Sequence, residues 1–156
     1  MQLTTAMLAD GAQQAGPGAK LYILGGQWDR LTVANFPAQH PTLAVVLVLR
    51  VEYSEALDQH RLEVELMLDG RSMKAKALAN FTTGHAPGQT RGTPGFVPVA
   101  LTFNNLVFEA AGRYEWAIRV DGDPIGTVPI EVVQQMSPGM FMPPAVTPPS
   151  KPPESS

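Results

Sequence analysis

Asp10, Asp58, His60, His85, Arg91, Asp121 and Asp123 are the side chains whose types could do chemistry together in this chain. Carboxylates converging on one spot hold a hard cation such as calcium, which takes about six to eight oxygen ligands. A histidine among them would suit a metal-dependent binder or hydrolase built on Asp58, His60, Asp121 and Asp123. A plainer explanation competes. Asp-Gly and Asp-Pro are turn formers in their own right, so Asp121-Gly-Asp-Pro124 needs no ligand to account for it. His40, His60 and His85 show neither His-x-x-x-His nor His-Glu-x-x-His spacing, and they are read as exposed loop histidines in preference to metal ligands. No metal, cofactor or catalytic residue is assigned on these grounds.

Other chemistries find less to work with. The chain has no cysteine, which removes disulfides, thiolate nucleophiles and cysteine zinc sites together. Gly84 to Gly92 lacks the Gly-Lys-Ser/Thr ending of a phosphate loop, and no Gly-x-Ser-x-Gly is present. Glu63 and Glu65 alternate with apolar neighbours and read as the solvated face of a strand, not a glycosidase pair. Trp116 falls on an apolar strand face and is assigned to the core, whereas Trp28 is a candidate surface aromatic. A net charge of −3, with basic residues scattered, argues against nucleic acid. The longest apolar run, Leu43 to Leu49, falls far short of the roughly 20 residues of a membrane helix. With no signal peptide at Met1 to Asp10, a cytoplasmic protein is expected.

The elements that must position these residues are strands. Apolar residues make up 44% of the chain, and 14 Gly and 15 Pro suit many short strands joined by turns. Leu3 to Ala9 and Lys20 to Gln27 form the first two strands, with Asp10 to Ala19 as their loop. A bulge at Gly25-Gly26 interrupts the second, which continues through Leu31 and Val33. Thr42 to Tyr53 is nearly all apolar and reads as a central strand covered on both faces. Arg61 to Leu68 alternates cleanly, Asp69-Gly70 makes a two-residue hairpin turn, and Arg71 to Phe81 returns. Phe96 to Phe103, then Gly112 to Val132 as a hairpin, complete about eight strands. Pro98 and Pro129 cannot donate to a ladder, so their strands are expected at edges or bulges. Alternating strand direction then gathers the loops near 10–19, 54–60, 83–95 and 121–124 at one end.

The fold class expected is all-β, an immunoglobulin-like antiparallel two-sheet sandwich over residues 1–133. Residues 134–156, with seven prolines, are expected to form a disordered proline-rich tail. Ala110-Ala-Gly-Arg-Tyr-Glu-Trp116 resembles the corner of immunoglobulin-like domains, in which a Gly-x-Tyr unit lets the tyrosine hydroxyl bond back to nearby backbone. Leu3 to Ala12, Gly18 to Asp29 and the Gly112–Val132 hairpin resemble an uncharacterised bacterial family of small β-sandwich proteins. That resemblance implies a fold and transfers no activity. The function expected is a non-enzymatic binding, scaffolding or assembly module with a protein partner, and no nucleic-acid or membrane partner.

Overall fold

Residues 60–68 show how the pattern becomes architecture. Leu62, Val64 and Leu66 are buried while Arg61 stays exposed, because successive side chains on a strand point to opposite faces. The computed structural model describes residues 1–16 and 20–136, and within them nine strands. They are β1 (Gln2–Gln14), β2 (Leu21–Trp28), β3 (Arg30–Val33), β4 (Ala38–Val51) and β5 (His60–Leu68). After these come β6 (Arg71–Phe81), β7 (Gly95–Phe108), β8 (Gly112–Val120) and β9 (Asp123–Gln134). A single 3-10 turn, Tyr53–Glu55, joins β4 to β5. One sheet has the order β2-β1-β4-β7 and the other β3-β9-β8-β5-β6.

One core holds the two sheets face to face. Leu8, Leu43, Val45, Leu47 and Phe108 from the first sheet meet Leu62, Val64, Trp116, Ile118 and Ile130 from the second. β4 is covered on both faces, as its continuous apolar run predicts. Its inward residues reach this core, while Ala44 and Val46 point the other way and are just as buried. Met7, Ala12 and Leu21, from the neighbouring strands β1 and β2 of the same sheet, pack against this second cluster. The two-residue turns also follow the sequence. Asp69 and Gly70 both have positive φ (49° and 74°), as do Asp121 and Gly122 (54° and 88°).

Three expectations are corrected. Asp10 lies inside β1, not in a loop, because β1 runs on to Gln14 to pair with β2. The strand expected from Lys20 to Val33 is two strands in different sheets. Its bulge shifts the register between Leu8 and Ala9 across Gln27 (φ 68°), after which β3 leaves to pair in parallel with β9. Nine strands with one parallel pair therefore replace about eight antiparallel ones. Pro98 does lie on an edge strand, but Pro129 lies in β9, between β3 and β8. A proline is tolerated there because β3 begins alongside Glu131 and leaves the stretch at Pro129 unpaired on that side.

Tyr114 pins the connection from β7 to β8. Its hydroxyl donates to the Ala110 carbonyl at 2.7 Å, with the ring edge-on to Phe108. Burial holds the hydroxyl pKa above its ordinary value, so it stays a donor. Tyr114→Phe should cost about 1 kcal/mol, the usual worth of such a bond. A urea midpoint identical to the wild type would mean that packing alone holds the corner.

Candidate functional site

At the end where the 3-10 turn, the 82–94 loop and the β8–β9 turn converge, the sequence supplies one buried polar residue, His60. Its Nδ1 lies 2.7 Å from Asp121 Oδ2 and its Nε2 lies 2.9 Å from the Glu55 carbonyl. Both ring nitrogens thus face acceptors, and only the doubly protonated ring satisfies both. Burial alone lowers the His60 pKa, but the bonds to Asp121 and Glu55 and their charges outweigh it, and the net shift is upward. Asp121 is held below the usual carboxylate range by His60 and by the Arg61 amide, which donates to its other oxygen at 2.8 Å. Glu55 Oε1 meets the amino group of Met1 at 2.9 Å, and its Oε2 accepts from the Glu52 amide at 3.1 Å.

This arrangement ties three segments together and leaves no reactive atom. A catalytic histidine needs one nitrogen for its orienting carboxylate and the other for a nucleophile or substrate. Here the second nitrogen is spent on a backbone carbonyl. A metal would have to displace the Asp121 or Glu55 bond to reach either nitrogen. Among the described residues, no group of three or more His, Asp or Glu side chains is placed to hold a metal ion.

Of the residues singled out in the sequence, the fold joins His60 to Asp121 and spreads the rest. Asp10 packs against Gly25 in the β2 bulge, where a side chain would strike its carboxylate. Asp58 and Asp123 are exposed, and His85 stacks on Tyr53 with ring centroids 3.9 Å apart. Trp28 is half-buried against the main core and edge-on to His40. Glu63 takes Lys76 at 3.1 Å and Arg119 at 3.0 Å, and Arg119 also reaches Glu65. These carboxylates belong to an ion-pair ladder across the outer face of the second sheet.

Beside His60 lies an open groove of about 830 Å³. Phe81, Phe96, Pro87, Pro94 and Pro98 give it apolar walls, and Gln14 and His85 add polar points. Its rim is held by its own hydrogen bonds. Gly84 N and Thr83 Oγ1 both donate to the Ala56 carbonyl, at 2.8 and 3.1 Å, which clamps the loop to the 3-10 turn. The Gln89 side chain accepts from the Ala86 amide at 3.0 Å and donates to the Thr93 carbonyl at 2.8 Å. Phe96 stands 61% exposed at the mouth, far more than a strand aromatic needs to be.

The groove was not legible as a site. Phe81 and Phe96 read as strand ends, and Glu55 acts on His60 through its carbonyl, which no side-chain pattern encodes. The one local signal was Glu52-Tyr-Ser-Glu55, whose reciprocal Glu52–Glu55 bonds form a capping box. A family model described as "Family of unknown function (DUF6941)" matches residues 4–133. No curated protein matches the sequence.

Proposed function

The chain belongs to this family, which brings no activity with it, and from its own geometry we propose a non-enzymatic protein-binding or assembly module. The observation that carries the proposal is the preformed groove with Phe96 exposed at its mouth. Apolar, rigid-rimmed concavities bind with little ordering cost, and exposed aromatics are the usual anchors of protein contacts. The residues joined at this end of the fold support binding over catalysis, since His60 and Asp121 are committed to each other.

We further infer that the scaffold is an immunoglobulin-like sandwich. The β2-β1-β4-β7 and β3-β9-β8-β5-β6 strand orders, and the Tyr114–Ala110 bond with Gly112 two residues before the tyrosine, support that architecture. In such folds binding concentrates on loops gathered at one end, where the groove opens. A cysteine-free chain suits a reducing bacterial cytoplasm. No helix among the described residues is long and apolar enough to cross a membrane.

Phe96→Glu tests the groove. It puts a charge at an exposed position, so the melting temperature should hold. Partners captured from a lysate and quantified against wild type should fall by about tenfold or more, the loss of one good anchor. Equal capture of every partner by both proteins would refute the groove as the binding surface.

A further inference from the structure

Resting on the groove as this protein's binding surface, we propose that its occupant is the last proline cluster of the same chain, Pro148-Pro-Ser-Lys-Pro-Pro153. None of the residues lining the groove is Asp, Glu, Lys or Arg. Phe81 and Phe96 supply aromatic walls, and the His85 ring, stacked on Tyr53 with centroids 3.9 Å apart, adds a further flat surface. Such walls select a segment that is apolar, narrow and already extended. A polyproline helix is all three: its rings pack on aromatic faces, and it has little conformational entropy left to lose. Its carbonyls make no internal hydrogen bonds, and Gln14 in the groove wall carries a side-chain amide that donates to such acceptors.

The chain itself carries a segment of this kind. Residues 137–156 lie outside the described ones, and seven of these twenty are proline. From Ser137 to Ser150 there is no ionisable side chain, which matches the uncharged groove. Lys151 can lay its stem along an apolar wall and keep its ammonium in water.

Reach decides which of the prolines arrive. β9 leaves the turn beside His60 and ends at Gln134, next to Val33 at the far end of the second sheet. Gln134 to Asp123 is about 36 Å at the usual rise of a strand. Phe81, on β6, lies three strands across from β9, about 14 Å sideways. The segment must therefore cover about 40 Å beyond Met136 before it meets the groove. At the rise of a polyproline helix, about 3.1 Å per residue, Pro143 reaches only about 22 Å. Pro149 and Pro152 reach about 40 and 50 Å. Met140, Phe141 and Met142, the other apolar group of the segment, stop short with Pro143. Length thus picks out the same cluster as chemistry does. A tethered segment whose length matches the span acts at an effective concentration of about millimolar, so a partner entering the groove must displace it.

The chain has no cysteine, so a nitroxide on Ser155→Cys marks one position alone. In the full chain it should broaden the amide resonances of Gly84, Gly88 and Phe96 and spare that of Gly112, which pairs with Val132 near the far end of the sheet. Pro149→Ala together with Pro152→Ala should remove the broadening. Deleting residues 139–146 should remove it too, because the cluster stays intact but loses about 25 Å of reach. A mixture of nitroxide-bearing chain with isotope-labelled chain lacking the nitroxide should show none, since the segment fills the groove of its own molecule. Absence of broadening at the groove overturns the proposal, as does broadening that survives either change or appears in the mixture. Partner capture that depends on Phe96 beside a silent nitroxide would strike the segment and leave the groove. Broadening at the groove with capture indifferent to Phe96→Glu would do the reverse.

Discussion

Trp116→Ala should destabilise the protein by about 3–5 kcal/mol, the cost of emptying a large aromatic site in a closed core. Trp116 stands in the middle of β8, fully buried, between Leu66 on β5 and Val128 on β9, with its ring 4.3 Å from Phe103 on the opposite sheet. It therefore bridges both sheets and both neighbours in its own. Strands already paired on either side cannot collapse far into the space it leaves. Domains of this size are stable by about 5–15 kcal/mol, so a large part of that margin would go. Trp116→Phe should cost much less. The indole nitrogen of Trp116 is buried without a hydrogen-bond partner, and phenylalanine removes that unsatisfied group along with part of the volume. Urea unfolding of the three proteins by circular dichroism measures both differences. A loss below about 1 kcal/mol for Trp116→Ala would show that the sheets do not meet through this residue.

That Trp116 belongs to the core could be read from the chain, because β8 keeps strict alternation from Tyr114 to Val120. β5 and the Asp69-Gly70 and Asp121-Gly122 turns were legible for the same reason: period and turn chemistry are local properties. What the chain concealed was pairing between distant segments. Arg30 to Val33 carries no sign of its parallel partner 101 residues away at Glu131, although the Arg30–Glu131 ion pair marks it once folded. Asp10 read as a loop residue because nothing local says that β1 must reach Gln14 to meet β2. Pro129 misled because a missing amide signals an unpaired position and not an unpaired strand. The candidate site divides the same way. Strand direction alone placed His60 and Asp121 at one end, but the groove needed the 82–94 loop to fold back on the Ala56 carbonyl, an acceptor every residue possesses.

The His60–Asp121 pair sets the expected pH dependence of stability. His60 has a raised pKa in the folded protein, so its contribution is fully present below its unfolded value of about 6.5. It is lost as pH rises through the folded pKa, because the ring must then give up a proton that both acceptors hold. Asp121 has a depressed pKa, so its contribution is present above its unfolded value of about 3.9 and lost as pH falls through the folded one. Together they are worth most between about pH 4 and 6.5. Asp121 is 46% exposed, so solvent screens the pair and the gain is modest. His60→Gln should lower stability by about 1–3 kcal/mol at pH 6, since glutamine cannot supply two donors in the ring's geometry to a carboxylate and a carbonyl. The difference should shrink as pH rises through the raised folded pKa of His60, where the wild type gives up the ring proton. Melting curves of both proteins across this range decide the matter. If they run parallel from pH 5 to 9, the imidazolium is not what ties the β8–β9 turn to the Glu55 carbonyl. If they converge, the imidazolium is what ties the β8–β9 turn to the Glu55 carbonyl.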